Sequence, residues 1–256
     1  MKKWRPSSIY LAIVLVIMYL PVITVVVYSF NASKLTTVWG GFSLAWYEKL
    51  FQNRTLLETL KNSLILGVSS CGISAVIGTV GALGMARSNF KLKGLVENIS
   101  IVPIMIPEII LGMAFLSVFS FLGLKFGMMT LIIGHCAFCV PYIFLMVKGA
   151  LAGIDAALPD AARDLGASDL RSFWDITLPL IVPSILSGAF LAFAMSLDDV
   201  IISFFVTGAE TNTLPVKIYS QLKMGVTPEV NALCTVMLVV TFAAVILFNL
   251  FAKKQR

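Results

Sequence analysis

Charge is scarce in this sequence. Asp, Glu, Lys and Arg together make up 12% of its 256 residues, about half the share of an ordinary soluble domain. So few charges cannot cover a water-facing surface, and an apolar solvent accounts for the shortfall. A nucleic-acid-binding stripe is also missing. The net charge of +6 sits in short clusters between apolar runs, with no aromatic reader motif among them. The phosphate-cradling pattern G-x4-G-K-[ST] is absent, so this chain cannot supply ATP hydrolysis. No H-E-x-x-H motif or serine–histidine pair within an apolar run supports an intramembrane enzyme. Cysteine is sparse and unsuited to a disulfide framework, because Cys71, Cys136, Cys139 and Cys234 all fall within apolar runs. Cys136 and Cys139 form a C-x-x-C, but no βαβ pattern or second ligand pair surrounds it. They read as small packing residues one turn apart.

What is abundant is apolar sequence, at 59% of residues. A helix that crosses a bilayer needs about 20 mostly apolar residues. Charge-free runs of that length are Ile9–Phe30, Asn62–Ala86, Phe126–Val147, Ile176–Leu197 and Val230–Ala252. A sixth, Asn98–Leu124, is broken only by Glu108, and the fifth reads on past two aspartates to residue 206. The expected fold is all-α and transmembrane: a single domain over residues 1–256 with spans at 9–30, 62–86, 98–124, 126–147, 176–206 and 230–252. Backbone groups in lipid must pair internally, which favours helices over strands of about ten alternating residues. The first span begins with Lys2, Lys3 and Arg5 but is longer than a signal core of about 7–15 residues, and no small-residue cleavage site follows. It is expected to be retained.

With six spans both termini share one side. That side holds twelve Lys and Arg: Lys2, Lys3, Arg5, Arg87, Lys91, Lys93, Lys148, Arg163, Arg171, Lys253, Lys254 and Arg256. The other side holds seven, so the termini are expected in the cytoplasm. Outside, Ser43–Phe51 reads as a short amphipathic helix with a serine cap. Residues 207–229, with Pro215, Tyr219, Gly225 and Pro228, read as a structured loop. In the second span Ser74, Gly78, Gly81 and Gly84 make a small-residue face suited to close helix packing. Pro103, Pro107, Pro141, Pro179 and Pro183 are candidate kinks.

A polar stretch, Lys148–Asp175, separates the fourth and fifth spans. Pro159 sits where a helix can begin, Gly166 interrupts the pattern, and Ser168 can cap a second helix. Two short helices joined by a turn are expected. Asp160-Ala161-Ala162, Gly166 and Ile176-x-Leu178-Pro179 resemble the EAA motif of ABC importer permeases, E-A-A-x3-G-x9-I-x-L-P, with matching spacing throughout. One position departs, because Asp160 stands where that family usually has Glu. The resemblance implies a six-helix type I importer fold and an ATPase-coupling role for Asp160, Ala161, Ala162, Gly166, Ile176, Leu178 and Pro179. It also implies that ATP and Mg are bound by a separate cytoplasmic ATPase dimer, with no cofactor on this chain.

Charges inside a span are costly and mark functional candidates. Glu108 lies roughly 15 Å into the third span, near the midplane. Asp198 and Asp199 lie roughly 30 Å along the fifth, towards its outer end. No Lys or Arg within a span of this chain neutralises them. An acidic pathway suits a cationic cargo, with Phe204, Phe205 and Tyr219 placed to pack against methylenes or ammonium groups. The other readings stay open. Glu108 can be a buried neutral acid or the partner of a base on a second subunit, and Asp198 and Asp199 can cap a helix. His135, the sole histidine, can hydrogen-bond a neighbouring helix or take part in proton coupling.

Ser196-Leu-Asp-Asp-Val-Ile-Ile-Ser-Phe-Phe-Val-Thr-Gly208, Leu214-Pro-Val-Lys-Ile-Tyr-Ser220 and Gly225-Val-Thr-Pro-Glu-Val-Asn-Ala232 resemble the second permease subunits of spermidine/putrescine importers. That resemblance implies a multi-pass protein of the bacterial inner membrane, paired with a homologous permease, an ATPase dimer and a periplasmic or extracellular polyamine-binding protein, in contact with lipid and not with nucleic acid. The alternatives are an importer permease for another organic amine, a phosphonate or a metal complex, and, in a different class, a proton-coupled secondary transporter.

Overall fold

The computed structural model describes residues 6–34, 38–88, 90–155, 157–223 and 228–254, with side chains from 10 to 242. Lys2, Lys3, Arg5, Gly225 and Arg256 lie outside the described residues, as do the side chains of Lys253 and Lys254. The chain is helical apart from one antiparallel bridge, Asn31 to Phe42, among the described residues. Its helices are α1 (Pro6–Tyr28), α2 (Ala45–Gln52), α3 (Arg54–Arg87), α4 (Lys93–Met105), α5 (Glu108–Phe121) and α6 (Met128–Ala152). They continue with α7 (Ala157–Asp164), α8 (Asp169–Ser172), α9 (Leu178–Asp198), α10 (Ile201–Val206), α11 (Leu214–Leu222) and α12 (Pro228–Lys254). A π-turn, Phe173–Thr177, joins α8 to α9.

Among the described residues, four helical stretches are long and apolar enough to cross a bilayer: Tyr10–Tyr28, Arg54–Arg87, Met128–Ala152 and Asp169–Asp198. Two differences from the sequence reading matter for function. The run read as one span over 98–124 is two helices, α4 and α5, meeting at 103°. Pro107 disfavours helical backbone at Ile106, and Ile106 is extended at φ −74°, ψ 130°. The pair passes the same length and composition test only when taken together. The second difference is at the far end of α9, where Asp199 is extended (φ −65°, ψ 122°) and α10 starts afresh at Ile201.

The chain packs as two compact units, residues 59–217 and residues 1–58 with 218–256. In the larger unit α6 is the central helix. Leu131, His135, Cys139, Ile143 and Val147 are fully buried along it, and α9 packs beside it through Ile181, Gly188, Ala192 and Ser196. The small face of α3 does what its composition suggests. A Cβ on Gly78 would stand 3.0 Å from both the Phe144 amide nitrogen and the Val140 carbonyl oxygen, backbone atoms that cannot yield cheaply. The three cysteines of this unit are free. Their thiols point at backbone carbonyls of neighbouring helices, with Cys71 Sγ 3.0 Å from Ala189 O and Cys139 Sγ 3.6 Å from Ala192 O. They are packing residues, as the absence of a second ligand pair suggested.

In the smaller unit α12 packs on α1 and α2. The turn after α1 is organised by buried Asn31. Its side-chain amide donates to Val38 O at 2.8 Å, its carbonyl oxygen Oδ1 accepts the Gly40 amide at 2.7 Å, and its backbone carbonyl accepts Trp46 Nε1 at 2.7 Å. The amphipathic helix expected from Ser43 is α2. Ser43 Oγ accepts the Ala45 amide at 3.1 Å, but the N-cap position is Leu44, one residue later. The stretch read as a loop over 207–229 holds a full helix, α11, and Pro228 opens α12.

Candidate functional site

Two sites in the larger unit bear on function. The first forms where both broken helices meet. A recess of about 40 Å³ is lined by Pro103, Ile106, Glu108, Tyr142, Met195 and Asp199, among others. That is room for about one water molecule, not for an organic cargo. The α4–α5 bend makes Glu108 the first residue of α5, whereas a continuous span would have buried it mid-helix. Its side chain is exposed, as is that of Asp198. Both aspartates lie within electrostatic range of Glu108, so three acids converge from parts of the chain ninety residues apart.

Asp199 differs from the other two. It is 9% exposed and its oxygens are engaged. Oδ1 accepts the Ile202 amide at 3.1 Å, and Oδ2 accepts the Ser203 amide at 2.7 Å. These amides open α10 and have no earlier helical carbonyl to pair with, so Asp199 satisfies them as a cap does. Oδ2 also stands 3.3 Å from Nε2 of the fully buried His135. That imidazole is held on its other side by Ser196, with Nδ1 to Oγ at 2.8 Å, and Nε2 lies 2.9 Å from Ser203 Oγ. Sequence reasoning listed His135 and Asp199 separately. Nothing in their spacing pairs them, because the contact is made only when α6 packs against the α9–α10 break.

The aromatic candidates divide. Phe205 lies over Gly112 of α5, where a Cβ would meet its Cδ2 at 2.6 Å. Phe204 stacks edge-on to it at 5.7 Å and is exposed. Tyr219 belongs to the smaller unit, where the Lys223 ammonium sits 4.8 Å above its ring. The structure thus brings Glu108, Asp198, Asp199, Phe204 and Phe205 into one unit, while Tyr219 has an ammonium partner of its own. Among the described residues no group of His, Cys, Asp and Glu is arranged to hold a metal.

The second site is the polar loop after α6. Asp155 Oδ1 accepts the Ala157 amide at 2.9 Å and starts α7 two residues before Pro159. Gly166 takes φ +89°, a conformation costly for any residue with a Cβ, and turns the chain into α8. Ser168 caps α8 by accepting the Arg171 amide at 3.3 Å. Arg163 spans the turn, at 3.0 Å to Asp160 and 2.7 Å to Asp169. The Asp169 hydrogen bond and charge, reinforced by Asp160, hold its guanidinium above the usual arginine range. The Phe173 ring lies 5.9 Å from the Arg87 guanidinium at the end of α3. Leu165 (90% exposed), Leu170 and Trp174 project from the loop without cover. Exposed apolar side chains on short polar helices suit contact with a protein or a membrane surface.

Residues 74–256 match the model of the binding-protein-dependent transport system inner membrane component family. The chain belongs to that family. This permease is 36% identical over 255 residues to the spermidine/putrescine transport system permease protein PotC of Haemophilus influenzae, covering 100% of this chain and 99% of the relative. It is 39% identical over 238 residues to PotC of Escherichia coli K12 (93% and 90% covered). It is 37% identical over 228 residues to the putrescine transport system permease protein PotI of the same strain (86% and 81%). Two solved structures share the fold. One is a bacterial ABC transporter involved in alginate import, with a TM-score of 0.72 at 15% identity over 99% of each chain. The other is a bacterial alginate ABC transporter in complex with its alginate-pentasaccharide-bound periplasmic protein, with a TM-score of 0.73 at 19% identity over 94% and 91%. The permease is therefore an all-helical, inner-membrane subunit of an ABC importer, and its role is transport, not catalysis.

Proposed function

We propose that this permease is the second membrane subunit of an ATP-driven polyamine importer. The observation that carries the cargo assignment is that Glu108 and Asp199 line one recess with no Lys or Arg among its lining residues, while Asp198 lies within electrostatic range of Glu108. Carboxylates of this kind suit ammonium groups, each contact replacing water by a charge-assisted hydrogen bond. Phe204, Phe205 and Tyr219 would offer apolar and π faces to the methylenes and ammonium groups of the cargo. The names of the PotC and PotI relatives point to the same chemistry. A recess of about 40 Å³ cannot hold a polyamine. The pathway is therefore completed by a second, homologous permease and opens as the complex changes state.

In this reading the chain crosses the membrane six times, α4 and α5 counting as one bent span, with both termini in the cytoplasm. A periplasmic or extracellular binding protein delivers the cargo. Asp160, Ala161, Ala162 and Gly166, with Ile176, Leu178 and Pro179 behind them, seat the 148–175 loop on a cytoplasmic ATPase dimer that binds ATP and Mg. Closure of that dimer draws the loops together and turns the pathway outward. The exposed Leu165, Leu170 and Trp174 are the apolar surface such a seat would cover.

The test is uptake of labelled spermidine by the reconstituted complex carrying Glu108→Gln or Asp198→Asn. Each neutral variant should assemble normally and transport about tenfold more slowly, the loss of one charge-assisted contact. Wild-type kinetics in both would remove the acidic pathway. Uptake of a different organic solute in preference to polyamines would overturn the cargo while leaving the importer intact.

A further inference from the structure

His135 is the fully buried imidazole at the centre of the larger unit, and the transport reading above gives it no task. Its surroundings are specific. Ser196 lies in the last turn of α9, Asp199 in the break, and Ser203 in α10. One ring therefore ties α6 to both sides of the break, by contacts of 2.8, 3.3 and 2.9 Å.

The hydrogen-bond chemistry selects one arrangement. Asp199 accepts only, so Nε2 carries the proton that faces it. Nδ1 is then the acceptor, and the Ser196 hydroxyl donates to it. Ser70 of α3 donates its hydroxyl to Leu66 O at 2.7 Å, so no proton lies between it and Ser196 Oγ, 3.5 Å away. Of the charged groups, Asp199 is in contact with the ring, Glu108 lines the recess beside Asp199, and Asp198 lies within electrostatic range of Glu108. The Phe138 ring packs against it at 5.1 Å.

We infer that His135 is a positioning residue of the cargo pathway: it holds Asp199 turned into the α9–α10 break, so that the break keeps its shape and Asp198 and Glu108 stay presented to the cargo. The inference rests on the acidic-pathway reading. Asp198 immediately precedes the residue that His135 fixes. A free Asp199 would rotate out of its cap, let the α10 amides open, and carry Asp198 with it. The fixed geometry is needed while cargo passes the acids, so its loss shows as ATP spent without transport.

The experiment measures spermidine moved per ATP hydrolysed in the complex reconstituted with its partner permease, ATPase and binding protein. His135→Leu keeps the volume and removes both hydrogen bonds, and should lower that ratio about tenfold. His135→Gln, which can still donate towards Asp199, should recover the ratio to within about threefold of wild type. Combined with Asp199→Asn, His135→Leu should add no further loss, because both changes remove one interaction. An undiminished ratio in His135→Leu, a Gln variant as poor as Leu, or an additive double variant would each overturn the inference. If the Leu variant fails to assemble, Ser196→Ala with Ser203→Ala strips the ring of its hydroxyl partners. A fall of about threefold is then expected, and no fall overturns the role. Glu108→Gln is run in parallel. Full transport in that variant and in Asp198→Asn overturns the acidic pathway itself, whereas a Glu108 defect beside a fully coupled His135→Leu overturns the His135 role alone.

Discussion

Replacing Asp199 by alanine should loosen α10 before it does anything else. The wild-type carboxylate accepts the Ile202 and Ser203 amides at 3.1 and 2.7 Å in a buried setting. Loss of a capping acceptor costs about 1 kcal/mol and up to about 2. Leaving a buried donor such as His135 Nε2 with a poorer partner adds a cost of about 1 kcal/mol, although Ser203 Oγ remains at 2.9 Å. The local total is about 2–3 kcal/mol. At 1.4 kcal/mol per tenfold, the first turn of α10 should open about 30–100 times more often. Asp199→Asn keeps one amide acceptor and should lose about half as much. The assay is amide hydrogen exchange in nanodiscs, read at Ile202 and Ser203 against Leu131 and Ile143 of α6 as internal references. Unchanged exchange at both amides in Asp199→Ala would refute the capping argument. Equal acceleration along α6 would show a global rather than a local loss.

Other outcomes follow from close contacts elsewhere. Gly166→Leu forces a side chain onto φ +89°, at a cost of about 1–2 kcal/mol. It should distort the loop, so that ATPase binding or ATP-coupled uptake fails while the membrane helices stay intact by circular dichroism; normal coupling would count against the loop's role. Gly112→Leu would drive Phe205 from its seat, costing about 1–3 kcal/mol, visible as earlier thermal unfolding in detergent and slower uptake. Unfolding at the wild-type temperature would show that Phe205 can move freely.

The all-helical class was legible because an apolar run of about 20 residues has few other stable forms. The polar loop after α6 was legible in detail, since its turn depends on local chemistry: Gly166 for the positive φ, and Ser168 for the cap. Breaks inside apolar sequence were not. Ile106-Pro107 is as apolar as its neighbours, so a composition window runs through the 103° bend. Pro103 and Pro141 carry the same signal yet remain inside helices. Which proline breaks a helix is settled by packing around it. The acids were found by their cost in a span, but their division of labour was hidden. Asp198 and Asp199 are adjacent in sequence, and only the approach of α6 makes one a capped partner of His135 and leaves the other exposed.

ATP-driven uptake tests the proposed cation path, powered from outside the chain, most directly. The permease is reconstituted into proteoliposomes with its partner permease, ATPase and binding protein, with no proton gradient imposed, and labelled spermidine is followed with and without ATP. The account predicts accumulation that requires ATP and persists when a protonophore is added. Accumulation driven by a proton gradient in the absence of the ATPase would contradict it.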